Sequence, residues 1–413
     1  MDSEAQPEAK FEELVTQFFK AGKTDTWIAE HVLEYFDKGV YGCSAKTIQR
    51  TRARLQLKST RQQKATFDSI ADIHAEIRKK FPTVGARQMR AIMAHDYNLK
   101  VPELLIQMFQ KEVEPDLVRA RKSKRFRRKQ YVGAGVMDCW TMDQHDKWRR
   151  FKLYLHVGLD PVPGQLLWLR IWWTNRNPRL IARFYLDAAR SRGGVPLLSQ
   201  SDPGTENNGV ANCHTNIRQA LDPTLVGTLQ HQWRRNKTNV KPEAFWSFLR
   251  RYFTPGFEDV LEYGLVEDLY NPEDPVHELV FRWIFIPWLQ DELDAFMKRF
   301  NATPRRTSKH KLLPQGDSPD VIAAMPHLHH KKSFIVGVPP AMFDDAESKW
   351  APPDDKVFQL VPPDFAEQAT ILCRMLQLPP TTIDNAWVNF KLLLDAVRRT
   401  SSSSSLLLRL RLN

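Results

Sequence analysis

An α/β core behind an all-α N-terminal region is the architecture this sequence predicts, and three observations predict it. Apolar residues recur with helical spacing from Phe11 to about Gln110, the period shifts to strand-like alternation near residue 130, and strand and helix patterns then take turns to about Phe300. At 413 residues the chain exceeds one typical core, so two or three domains are expected. The 42% hydrophobic fraction is enough to bury them. No apolar run is long enough for a membrane span, and the acidic stretch Met1 to Lys10 has neither the basic nor the apolar region of a secretory signal. Cys43, Cys139, Cys213 and Cys373 form no C-x-x-C pair, which argues against a disulfide framework or a Cys-rich zinc module and fits a reducing compartment.

The first helical unit, residues 1–62, contains FEELVTQFF, TWIAEHVLEYF and SAKTIQRTRARL. Ser44 suits an N-cap, and Ile48 with Leu55 makes a stripe that leaves Lys46, Gln49, Arg50 and Arg54 outside. A recognition helix of a helix-turn-helix presents such side chains to the major groove. A structural three-helix bundle fits the same pattern. The second helical unit, residues 63–130, holds IADIHAEIRKKF, ARQMRAIMAHDY and ELLIQMFQKE and is a second helix-turn-helix candidate. It ends in a basic block in which eight of the twelve residues Arg119 to Gln130 are Lys or Arg, including Lys124, Arg125, Arg127 and Arg128. The net charge of +12 is thus unevenly spread, and this block suits a polyanion, nuclear import or a solvated linker.

Between 131 and 305 the reading is strand, hairpin, helix, strand, helices. CWTMD is a first strand carrying Asp143; FKLYLHVGL, with Phe151, Leu153, Leu155 and Val157 on one face, pairs with QLLWLRIWW through the turn DPVPG. Asn177 and Pro178 start a helix that Gly193-Gly194 ends, and VPLLSQSD delivers Asp202 to a strand end. Pro242 starts the helix PEAFWSFLRRYF, with Glu243 facing away from Phe245, Phe248, Leu249 and Tyr252. The stretch from Pro275 to Phe300 reads as a helix interrupted before Pro287. Residues 306–413, rich in Pro and Asp, read as extended linker with one or two helices and no assignable role, ending in the low-complexity SSSSSLLLRLRLN.

Asp143, Asp202 and Glu243, spaced by 59 and 41 positions, are the set that a two-cation phosphodiester chemistry needs: hard oxygen donors on two strand ends and a facing helix. Asp138 and Asp146 flank Asp143 and are alternatives to it, whereas Glu206 and Asn207 suit shaping of the loop after Asp202 or contact with DNA. HLHHKK, from His327 to Lys332, reads as a solvated basic loop because no carboxylate or Cys spacing accompanies it.

Three blocks, CWTMDQHDKW with LHVGLD downstream, LLSQSDPGTENNGV, and NVKPEAFWSFLRR, carry a resemblance to the DDE integrase core of retroviral integrases and insertion-sequence transposases, more closely to integrase-core proteins of eukaryotic, especially fungal, mobile elements. The resemblance covers roughly residues 131 to 300 and implies a ribonuclease H-like fold, a mixed five-stranded sheet with flanking helices. It makes Asp143, Asp202 and Glu243 the catalytic ligands of two Mg²⁺ or Mn²⁺ ions. It also implies DNA cleavage and strand transfer by a nuclear homo-oligomer on element ends and target DNA, with Lys147, Arg149, Arg150, Arg234, Arg235 and Lys237 on phosphates. A domesticated DNA-binding protein without catalysis and a ribonuclease H-like nuclease are the other readings. The His2Cys2 zinc module and C-terminal β-barrel of retroviral integrases have no counterpart in the sequence, and the longer second gap implies an insertion.

Overall fold

The computed structural model describes residues 7–37, 42–121, 131–235, 238–308 and 311–403. It divides into two compact units, one of Met1–Val136, Val162–Gln165 and Lys298–Lys332, the other of Met137–Pro161, Leu166–Met297 and Ser333–Asn413.

The first unit is helical: α1 (Pro7–Lys20), α2 (Asp25–Val32), α3 (Ala45–Arg54), α4 (Thr60–Gln63), α5 (Phe67–Lys80), α6 (Ala86–Asp96), α7 (Glu103–Val113) and α8 (Pro115–Ala120). Thr24 caps α2 by accepting from the Trp27 amide, and Ser44 caps α3 by accepting from the Thr47 amide at 3.2 Å. Val15, Phe18, Ile28, Val32 and Ile48 make the core of α1 to α3, and Val321 and Met325 complete it. Leu55 is only half-buried; the buried partner of Ile48 on α3 is Thr51. Further along, Glu114 receives Arg78 from α5 and Arg121 from the end of α8, closing that helical group with charge-assisted bonds.

The second unit is built on β1 (Cys139–His145), β2 (Tyr154–Asp160), β3 (Gln165–Trp172), a short β4 (Gly194–Val195), β5 (Leu198–Ser201) and β6 (His231–Trp233). Their order in the main sheet is β3-β2-β1-β5-β6. β1 runs antiparallel to β2 and parallel to β5, and β5 is parallel to β6, so the sheet is five-stranded and mixed. Around it lie α9 (Pro178–Ser191), α10 (Asn208–Leu221), α11 (Val240–Tyr252), α12 (Thr254–Val266) and α13 (Pro275–Ala302). β2 is buried on both faces from Leu155 to Asp160, as expected of a strand inside a covered sheet. The predicted alternation from Phe151 fails: Arg149–Phe151 is a 3-10 turn and Lys152 has φ +58, which turns the chain before β2 starts. Asn177 caps α9 as predicted, accepting from the Arg179 amide at 2.9 Å.

Two further expectations are overturned. α13 is continuous through Pro287, which costs one backbone donor but not the helix, since Phe281, Phe285, Leu289 and Leu293 stay buried along one side. The region past Pro314 is not extended linker: it forms α14 (Pro319–Ala324), β7 (Val336–Gly337), α15 (Pro340–Trp350), α16 (Pro363–Met375) and α17 (Ala386–Ser403). Pro319, Pro340 and Pro363 open three of these helices, where a missing N–H costs nothing. α14 belongs to the first unit and the others to the second, where β7 pairs with β4. α15 is tied to α9 by Arg190 with Asp344 and Glu347. The Trp172 and Trp173 indoles donate to the carbonyls of Val357 and Gln359.

Candidate active site at the ends of β1 and β5

Asp143 lies on β1, and Asp202 follows the last residue of β5. The parallel register pairs Thr141 with Gln200, so two residues further on the same count sets Asp143 beside Asp202. Neighbouring strands are about 4.8 Å apart, which brings two carboxylates together at one end of the sheet. Each is partly buried, and burial is the largest cause raising both pKa values. Asp143 is pushed up to about 7, first by burial and then by the charge of Asp202, with a smaller contribution from Glu243; hydrogen bonds from the Trp246 indole and the Gln144 backbone act the other way. Asp202 and Glu243 are thus both near enough to Asp143 for their charges to raise its pKa.

Glu243 is exposed in the first turn of α11. That helix starts at Val240, two residues ahead of the predicted Pro242. Its position is set by Asn239, which is fully buried: Nδ2 donates to the Met142 carbonyl at 2.8 Å, and Oδ1 accepts from Gln200 Nε2 at 3.1 Å. One amide therefore ties the start of α11 to both β1 and β5. Asn239 lies in the block NVKPEAFWSFLRR, where no local pattern signals its contacts across the sheet; the same is true of Trp246, whose Nε1 donates to Asp143 Oδ2 at 3.0 Å.

The loop after Asp202 is shaped as anticipated. Glu206 is 9% exposed and accepts from Gln144 Nε2 at 2.6 Å and Asn207 Nδ2 at 3.2 Å. Its carboxylate folds so closely over Gly204 that a Cβ there would lie 1.9 Å from Oε1. Asp160 accepts from the Met137 amide at 2.7 Å and Asp146 from Asn175 Nδ2 at 2.7 Å.

As they stand, no three His, Cys, Asp or Glu side chains among the described residues are gathered as a metal site. The donor set nevertheless fits a hard divalent cation. Asp202 Oδ1 is buried with no hydrogen-bond partner, Asp143 carries the repulsion of two carboxylates, and every donor is an oxygen.

The predicted DNA contacts divide into three groups. Lys46, Gln49 and Arg50 are exposed on α3, whereas Arg54 is engaged with Glu12 at 2.5 Å and Glu8 at 3.4 Å. In the second unit Lys147, Arg149 and Arg235 are exposed. Arg234 is braced by Gln200 and Gln232, and Arg150 is held by Glu258 and Glu262, so Arg150 is less available than predicted. Lys124, Arg125, Arg127, Arg128 and Lys237 lie outside the described residues. Of the HLHHKK cluster, His327 pairs with Glu34 and His329 with Asp317.

The mixed sheet in this strand order, with acidic side chains on adjacent parallel strand ends and a facing helix, defines a ribonuclease H-like core of the polynucleotidyl transferase class. Residues 131–316 match the family model of the integrase core domain. No curated protein matches the chain. No helix among the described residues is long and apolar enough to cross a membrane.

Proposed function

We propose that the chain is a mobile-element integrase or transposase that cleaves DNA strands and joins them to a target, using Asp143, Asp202 and Glu243 to hold two Mg²⁺ or Mn²⁺ ions. The observation that carries this reading is the parallel register that sets Asp143 beside Asp202, in a site whose buried Asp202 Oδ1 lacks a partner. Two such ions supply charge stabilisation for the attacking and leaving oxygens of a phosphodiester. The chain's own part is to hold the donors in place: Trp246 orients Asp143, Asn239 fixes the turn bearing Glu243, and Glu206 with Gln144 holds the loop after Asp202. Lys147, Arg149, Arg234 and Arg235 bear on backbone phosphates without reading sequence. Lys46, Gln49 and Arg50 of α3 bind the element ends as the recognition side of a helix-turn-helix, and the basic stretch before residue 131 takes the protein to the nucleus and to DNA. The working form is a homo-oligomer on DNA.

The test is a cleavage and joining assay on labelled DNA from the ends of the protein's own genomic locus, with Mg²⁺ or Mn²⁺, beside Asp202→Asn and Glu243→Gln. Metal-dependent nicking or joining lost in both variants supports the reading. Salt-sensitive binding without any cutting by the wild type makes the chain a domesticated DNA-binding protein instead.

A further inference from the structure

A basic, aromatic groove lies in the second unit beside the candidate active site, and neither the family match nor the carboxylates account for it. Two adjoining cavities, of about 360 Å³ and 500 Å³, share Asn177, Pro178 and Asp355. One wall is the chain leading into α9, including Trp173 and Arg176; another is the start of α10, with Asn208 and Asn212; the third comes from the C-terminal region, with Lys349, Trp350 and Lys356. Asp355 is paired with Arg179, which cancels that charge. Arg176, Lys349 and Lys356 are exposed and have no carboxylate partner among the described residues, so the groove keeps three uncompensated cations.

Both inner walls begin next to the carboxylates. Asn175, just before Arg176, is 2% exposed and bonds to Asp146, three residues after Asp143; Asn208 opens α10 six residues after Asp202.

We propose that this groove binds single-stranded DNA, with phosphates on Arg176, Lys349 and Lys356 and a base against Trp350 or Trp173. Uncompensated cations beside aromatic rings are the combination that holds an unpaired strand, because cations track phosphates and rings accept any exposed base face. In a duplex those base faces are stacked away, so the aromatic walls favour a frayed or cut strand. The groove therefore holds the strand that cleavage frees. This rests on the reading of the core as a DNA-cleaving unit.

The experiment measures binding of the full chain to a short labelled oligothymidylate and to a blunt duplex, by fluorescence anisotropy across a salt series, in the absence of metal. It compares wild type, Arg176→Ala/Lys356→Ala and Trp350→Ala. Loss of the two cations is expected to lower the slope of log affinity against log salt on the single strand by about 1.4, at about 0.7 per phosphate. Trp350→Ala should weaken single-strand binding about tenfold, and duplex binding should change less than about twofold in both. Photocrosslinking of an iodouracil-bearing oligonucleotide should label a peptide containing Trp350 or Trp173, a readout independent of how well Trp350→Ala folds. Equal binding by the groove variants and wild type, equal losses on both DNA forms, or crosslinks confined to other segments would overturn the proposal. A failure of cleavage in the locus assay with the groove effects intact strikes the catalytic reading alone.

Discussion

Trp246 on α11 donates its indole N–H to Oδ2 of Asp143 on β1, 103 positions away, at 3.0 Å. The ring is buried and lies against His145, 4.8 Å between centroids, so the donor cannot readily swing aside. One Asp143 oxygen is thereby fixed.

Trp246→Phe keeps most of the ring and removes the donor. A hydrogen bond to a charged group contributes about 1.5–3 kcal/mol, so the rate of strand cleavage is expected to fall roughly 10- to 100-fold. Duplex affinity measured without metal should stay within about twofold. A variant that cleaves like wild type would show that Asp143 needs no such orientation.

Asp143 also sets a pH signature. Its value near 7 in the fold stands above the ordinary 3.8, so between those limits the folded state keeps a proton that the unfolded chain has released. Stability must then fall as pH rises through that window. Asp143→Asn cannot ionise and escapes the cost: in metal-free buffer its Tm should exceed wild type by at least ~2 °C at a pH of about 8, with the gap closing at a pH of about 4. A gap that is constant with pH would contradict the assignment.

The first strand with its Asp143 and the strand end at Asp202 are legible in sequence because each is a short apolar run closed by polar residues. Helix α9 is legible for the same kind of reason, with Asn177 and Pro178 both at their favoured positions. The Trp246 and Asn239 contacts are not, since each joins residues about a hundred positions apart and depends on strand order and register. The C-terminal helices were hidden by prolines: PPAM and PPDF look like breakers until the second proline of each is seen to be the first residue of a helix. Pro287 misled in the same direction, because burial on both sides of it outweighs one missing bond.

On α3 the exposed cations are not equivalent. Lys46→Ala/Arg50→Ala should weaken binding to element-end duplex and lower its salt slope by about 1.8, at about 0.9 per phosphate contact. Arg54→Ala should have a smaller effect, since Glu8 and Glu12 already occupy that guanidinium. Electrophoretic mobility shifts at two salt concentrations separate the two variants; identical slopes for all would take α3 out of the DNA interface.

Trp387 of α17 tests whether the C-terminal region belongs to the fold of the core. Its indole donates to the Val260 carbonyl at 2.7 Å and packs on Phe285 at 4.5 Å. It also sits so close to Gly264 that a Cβ there would fall 1.9 Å from Cζ2. Trp387→Ala should cost about 3–5 kcal/mol, read as a lower urea midpoint. An unchanged midpoint would make α17 an appendage.

That seat has a meaning for how gene copies are judged. A copy interrupted by a stop codon after residue 316 would still encode Asp143, Asp202, Glu243 and the whole segment that matches the integrase core, and by its carboxylates it would count as intact. Its product would lack the indole that covers Gly264 and the ring of Phe390 beside Phe281 and Phe285, leaving apolar surface bare on the catalytic unit. Such a copy keeps every carboxylate and loses the cover of the unit that bears them, so an open reading frame through α17, as much as the acidic residues, is what a copy needs in order to fold.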